Sequence, residues 1–359
     1  MSGSQQNIID TKNVDKMIRN SRERRQSRNL IENKSIVTHK AKRGRKPGST
    51  IKKKEKNNGT NCNEENSECN EIDVEVVKNL DDEFINQYKQ NDNYMLEIVT
   101  TQCNIIKQII DTLNGPLNDI NLIFSKKGIN LCQASEQKII INLELSAEKF
   151  EIYNYKFENE KTIVGINIRM LYDFIRTISS NTIMTMFIDK NELNKFGIIF
   201  SNNSHKIISK HKINMCDCNV TDYNLINYND YSVCVNINST LFYKICRDVA
   251  IISSQIEIKR ANPSINQIIF SYDNANTKNE KTISESEFMK FIKNENNKND
   301  EIIQAYYDIK SIMKFVKLSN MSKNMSIYLS NDFPIMLEYN TGSLGTIQIW
   351  IKPENKIKD

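Results

Sequence analysis

Long apolar runs are missing from this 359-residue chain. None approaches the roughly 18 residues that a bilayer-spanning helix needs, so no membrane span is expected. The N-terminus, MSGSQQNIIDTKN, has no hydrophobic segment, so no secretory signal is expected either. Histidine is nearly absent: His39 lies in a charged N-terminal stretch, and His205 and His211 lie in SHKIISKHK, which reads as surface strand or loop. The ten glycines form neither G-x-x-x-x-G-K-[ST] nor G-x-G-x-x-G, which excludes the common backbone cradles for nucleotide phosphates. The eight cysteines have no framework spacing and read as reduced thiols of an intracellular protein. Cys216-x-Cys218 is too close for a zinc knuckle and has no second Cys/His pair at matching spacing. No catalytic constellation remains. The chain reads as a non-enzyme without metal or other cofactor.

What is present is charge, unevenly placed. Residues 1–60 carry 17 Lys and Arg against 5 Asp and Glu, and residues 61–93 carry 2 against 10. Residues 94–359 are almost balanced, at 30 against 29. The first 93 residues are thus a basic block followed by an acidic one. They are poor in aromatics and lack sustained periodicity, the composition of a disordered tail. Within it, residues 42–47 read Lys42-Arg43-Gly44-Arg45-Lys46-Pro47. Three readings fit this motif. Its Arg-Gly-Arg core resembles an AT-hook that lies in a narrow minor groove; it has the look of a nuclear-localisation signal; and it suits a solvated arm adding non-specific phosphate affinity.

From Tyr94 onward four segments show helical spacing: 102–113, 168–179, 241–252 and 306–318. Each carries an apolar stripe, as in Ile105, Ile106, Ile109, Ile110 and Leu113. They begin about 65 to 73 residues apart. Between them lie runs with strand character, including NLIFSKKGINLCQ (a hairpin over Lys126-Lys127-Gly128), NTIMTMFID, NQIIFSYD, FPIMLEYN and LGTIQIWIK. The result is an α+β unit repeated four times, in two pairs. We expect a tail over 1–93, a first domain over 94–210, a polar connecting linker over 211–231, a second similar domain over 232–353 and a short tail over 354–359. The polar stretch 274–300 reads as a surface loop.

The polar sides of these helices hold eight basic residues, Lys107, Arg169, Arg176, Lys244, Arg247, Lys310, Lys314 and Lys317, against Asp111, Asp173, Asp248 and Asp308. At 100° per residue, Lys310, Lys314 and Lys317 of one continuous helix would fall within about 60° of one another. Any one such face is ordinary solvated surface. Summed over four helices in a near-neutral body, the excess suggests one shared surface for an anion.

Three motifs sharpen the reading. Leu241-Phe242-Tyr243-Lys244-Ile245-Cys246-Arg247-Asp248-Val249 resembles the Phe-x-[Arg/Lys]-Ile-Cys-Arg-Asp-Leu segment of the proliferating cell nuclear antigen family, the eukaryotic and viral sliding clamps of DNA polymerases. Asn331-Asp332-Phe333-Pro334-Ile335-Met336-Leu337-Glu338-Tyr339, with Leu344-Gly345 and Lys352-Pro353 beyond, is similar to that family's last hairpin. Gly128-Ile129-Asn130-Leu131 is similar to an early strand. The similarity covers about 94–353; the N-terminal 93 residues have no counterpart.

The resemblance implies a DNA-clamp fold: two similar domains, sheets outside, helices inside, three identical subunits closing a ring around double-stranded DNA. It implies a processivity factor that holds a DNA polymerase, is placed by a clamp loader, and docks other replication and repair proteins through short peptides. Lys107, Arg176, Lys244, Arg247, Lys310 and Lys317 fall where the family has channel-facing cations. Asp173 stands where Lys is usual, and Arg169 and Lys314 are additional. The resemblance further implies a peptide pocket of Ala134, Ile139, Ile141, Pro334 and Trp350, completed by Leu225 or Ile226, with the backbone at Lys352 pairing with the peptide. The usual linker motif is replaced by Asn224-Leu225-Ile226-Asn227. A nuclear site and a cytoplasmic viral replication compartment fit equally. A reading of a different class is a clamp-like DNA-tethering or transcription accessory hub that binds DNA mainly through its basic tail.

Overall fold

The structure, a computed structural model, describes residues 91–137, 139–178, 181–202, 207–217, 221–274, 276–292 and 302–356. The tail motif at Lys42, Arg43, Arg45 and Lys46, like His205 and Cys218, lies outside the described residues.

The strands assemble into three antiparallel sheets. The first runs Ile152–Tyr155 (β5), Tyr94–Thr100 (β1), Thr182–Asp189 (β7), Lys195–Asn202 (β8), Ile207–Asn214 (β9). The second has nine strands: Met289–Ile292 (β14), Val233–Asn238 (β10), Asn324–Leu329 (β16), Ile335–Asn340 (β17), Gly345–Ile351 (β18), Ile140–Ser146 (β4), Gly128–Ala134 (β3), Asp119–Ser125 (β2), Lys161–Asn167 (β6). The third runs Lys278–Ser284 (β13), Gln267–Asp273 (β12), Gln255–Arg260 (β11), Ile303–Asp308 (β15). The order carries the repeat. The five-strand block ending on β18 repeats the block ending on β9, and the four-strand block ending on β4 is repeated by the block ending on β13. Inside the chain β18 and β4 pair, joining the two domains. Among the described residues, β9 and β13 have a strand on one side only.

Among the described residues four helices lie against these sheets: Cys103–Leu113 (α1), Ile168–Ile175 (α2), Ser239–Ile252 (α3) and Ile309–Met313 (α4), the last followed by a 3₁₀ turn over Val316–Asn320. Three start on a cap the sequence supplies. Asn167 accepts from Met170 N, Asn238 from Leu241 N, and Asp308 from Lys310 N and Ser311 N, satisfying first-turn donors that would otherwise be orphaned. Their apolar stripes and the inner faces of all three sheets form one continuous core, from Ile106, Ile109 and Leu113 through Leu171 and Ile175 to Phe242, Ile245, Val249 and Ile312. Each such buried aliphatic side chain contributes about 1.5–3 kcal/mol, which is why the 3.6-residue stripes fix the helix layer against the sheets. At the domain junction, Gly345 leaves room for its neighbour: a Cβ there would meet the Glu144 carbonyl oxygen at 1.9 Å.

Several sequence expectations are corrected. The stretch 274–300 contains β13 and β14, because KNEKTIS alternates half-buried Asn279, Lys281 and Ile283 with exposed neighbours and pairs with β12 along its whole length. The linker starts later than 211, since β9 pairs with β8 through Asn214. The fourth helix does not span 306–318: β15 occupies residues through Asp308, whose side chain then caps α4. The chain tightens to 3₁₀ from Val316, so Lys310, Lys314 and Lys317 do not share one α-helical face. Residue 354 is paired to the sheet: Glu354 bridges to Tyr306.

Candidate nucleic-acid interface and docking face

The eight helix-layer cations divide by what they touch. In the first domain, Lys107 is half-buried, and its ammonium donates to the carbonyls of Arg176 (2.9 Å) and Ile178 (3.2 Å). It therefore caps the C-terminal end of α2, where unpaired carbonyls and the helix dipole both favour a cation. Arg169 and Arg176 flank Asp173 at 3.7 and 3.6 Å, both more than half exposed. The position where the resemblance expects Lys is thus an acid shared by two arginines.

In the second domain, Lys244 and Arg247 on α3 and Lys310 on α4 are exposed and make no ion pair among the described residues. Asp248, beside them on α3, is drawn to Lys281 of β13, whose hydrogen bond holds its carboxyl below the usual range. Lys314 reaches the Gln137 side chain, and Lys317 pairs with Asp111 of α1 at 3.0 Å. α1 packs against α2 and against the 3₁₀ turn, and α3 packs against α4. The helix layer is therefore contiguous, and all eight cations belong to it. Flexible cations on such a layer neutralise phosphates without reading bases.

The opposite face of the nine-stranded sheet is organised in rows. Register places Ala134 opposite Ile140, Ile140 opposite Trp350, Trp350 opposite Met336, Met336 opposite Tyr328 and Tyr328 opposite Cys234. This apolar row crosses the domain junction. Tyr231 and Phe333 close over it edge to face (5.7 Å, 62°), and the Tyr231 hydroxyl donates to the Pro334 carbonyl at 3.0 Å. Burial raises the Tyr231 and Tyr328 hydroxyls, so both stay protonated donors. Two residues further along each strand the same face is polar: Asn142 donates to Gln348 (3.2 Å) and Gln348 to Glu338 (2.7 Å).

Among the expected pocket residues, Ala134, Ile226 and Trp350 belong to this face, and Pro334 borders it. Ile226 packs on the cluster, whereas Leu225 is exposed. Ile139 and Ile141 do not line it. They point into the main core, because side chains alternate along β4 and only Ile140 shares Trp350's face. Sequence reasoning missed Ile140, Tyr231 and Phe333. The two-residue period would have given Ile140 once the β4–β18 register was known. Lys352 is exposed just beyond β18.

Comparison with known proteins agrees with this architecture. The N-terminal domain of proliferating cell nuclear antigen matches residues 95–223, and its C-terminal domain matches residues 225–354. The probable DNA polymerase sliding clamp 1 of Paramecium bursaria Chlorella virus 1 is 24% identical over 268 residues, covering 73% of this chain and 98% of that protein. The proliferating cell nuclear antigen of Dictyostelium discoideum is 22% identical over 265 residues, covering 72% and 99%. The probable DNA polymerase sliding clamp of Acanthamoeba polyphaga mimivirus is 20% identical over 302 residues, covering 74% of this chain and 63% of its own length. With both of that family's domains matched in order and filling the described body, the chain belongs to the proliferating cell nuclear antigen family.

Proposed function

We propose that the chain is a DNA polymerase processivity factor: a ring of three copies around duplex DNA, with a non-catalytic role as a moving platform. The observation that carries this is the paired junction inside the chain and its unpaired copy outside. β18 joins β4 antiparallel, and β9 and β13 are the equivalent edges left open. Open edges are liabilities unless something covers them. A second copy covers both when β9 of one subunit pairs with β13 of the next, a head-to-tail contact that closes a ring if the rotation closes. Matching the hairpins end to end carries the β4–β18 register across. It sets Ile207 opposite Ile283 and Lys210 opposite Glu280, an apolar pair and an opposite-charge pair. Ile207 and Ile208 are both exposed in the single chain.

The helix layer then lines the bore. Phosphate contacts of similar energy at every register leave little barrier to sliding, and topology keeps the ring on DNA. Trp350, Met336 and Tyr231 are already buried in the chain, so a peptide of the polymerase, the loader or another replication or repair protein would dock on the half-buried margin they support, formed by Ala134, Ile140, Ile226, Phe333 and Pro334. The duplex would be met in the nucleus or in a cytoplasmic viral replication compartment. Family membership favours this reading over a hub that works mainly through its basic tail.

Topology gives the test. Full-length protein is threaded at low salt onto linear duplex whose ends are afterwards blocked by bulky caps. A ring stays on end-blocked DNA at a salt concentration that strips it from open-ended DNA. Equal release from both would overturn the proposal.

A further inference from the structure

We propose that Asp111 is a built-in competitor of DNA phosphate for Lys317, and that their ion pair is a latch between the two domains that duplex binding opens. The inference rests on the reading that the helix layer faces DNA. Lys317 stands on the 3₁₀ turn of the second domain and Asp111 on α1 of the first, with Nζ to Oδ2 at 3.0 Å. A second contact crosses the same line, from Lys314 to the Gln137 side chain in the β3–β4 connection. Together they tie the domains on the helix side, opposite the β4–β18 pairing that joins them on the sheet side. The Lys317 side chain is 61% exposed and that of Asp111 32%, so the cation is within reach of solvent while its counter-ion is held closer to the body.

An exposed pair of this kind is worth little by itself, which is what a displaceable contact requires. Lys244, Arg247 and Lys310 make no direct ion pair among the described residues, so they meet a phosphate without first breaking one, although Lys244 and Arg247 also feel the nearby Asp248 carboxylate. Lys317 must first leave Asp111, and the freed carboxylate then takes up a cation from solution. A phosphate bound there releases about one ion fewer than one bound at the free cations. Asp111 therefore weakens the grip and flattens its salt dependence, while opening the latch removes an ionic tie between the domains and leaves their sheet pairing and shared core in place.

The test is a double-mutant cycle with full-length protein on a short linear duplex, titrated by fluorescence anisotropy between 50 and 200 mM NaCl. The N-terminal tail is common to all variants and cancels in the cycle. Asp111→Asn is expected to tighten binding several-fold at 100 mM salt and to steepen the log K against log salt slope by about 0.9. In a Lys317→Gln background the same change should leave the slope where it was. Equal steepening in both backgrounds would mean that Asp111 acts only as diffuse negative charge, and no steepening in either would mean that it does not compete; each result overturns the proposal. The underlying reading has its own control: if Lys244→Gln/Arg247→Gln/Lys310→Gln does not lower the slope, the helix layer does not face DNA.

Discussion

The two domains share one architecture and use their helix cations differently. In the first, the protein itself engages them: Lys107 caps α2, and Arg169 and Arg176 flank Asp173. In the second, Lys314 and Lys317 are engaged across the domain line, but Lys244, Arg247 and Lys310 make no direct ion pair among the described residues; the neighbouring acid Asp248, which still feels Lys244 and Arg247, pairs with Lys281. The number of cations on a domain's helices therefore does not by itself set its grip. What a cation offers a phosphate is set by what it must give up first.

Neutralising each set in turn separates the two domains most sharply. Replacing Lys244, Arg247 and Lys310 by Gln should lower the salt slope of duplex binding by about 2–3, near 0.9 per lost contact. The matching triple of Lys107, Arg169 and Arg176 should lower it by about 1. Equal losses would erase the distinction between the domains.

The second contrast is between the paired junction and its open copy. Gly345→Ala should strain the β4–β18 junction by about 1–3 kcal/mol, as overpacking does, read as a fall of several degrees in Tm. Lys210→Glu should instead weaken ring assembly, with a small cost inside the subunit where Lys210 lies over the Phe187 ring at 4.8 Å, and adding Glu280→Lys, which gives up the Lys259 pair, should restore assembly. Failure of the second change to restore assembly would show that the internal register does not carry across. A smaller effect separates capping from phosphate contact. Lys107→Ala should cost about 1 kcal/mol through the lost α2 cap, or about 2–4 °C in Tm, with little change in salt slope. Lys244→Ala should show the reverse.

Much of this was legible in the sequence where one period dominates. The four stripes gave the helix layer because a 3.6-residue pattern backed by a core admits few alternatives, and Asn238 and Asn167 mark the starts of α3 and α2 as caps should. The edge strands were hidden. KNEKTIS offers one aliphatic residue in seven, so its strand identity comes from pairing with β12 and not from composition. At 306–318 a strand and a helix share one stretch, and the apolar spacing could not show that Asp308 divides them. The docking face was half legible. The resemblance placed Trp350, the only tryptophan, on it, but which of Ile139, Ile140 and Ile141 sits beside it depends on a cross-strand register between residues about two hundred positions apart. The engaged state of Lys107, Lys314 and Lys317 could not be read at all, because their partners come from other elements.

In the proposed ring the open edges β9 and β13 meet between copies and close it. Light scattering of the full-length protein at micromolar concentration, with particle images of the same sample, tests it most directly. A closed trimer gives a species of three times the 41.8 kDa chain mass with a central hole. A monomer that persists across that concentration range, or an open chain of subunits with no closed particles, would contradict it.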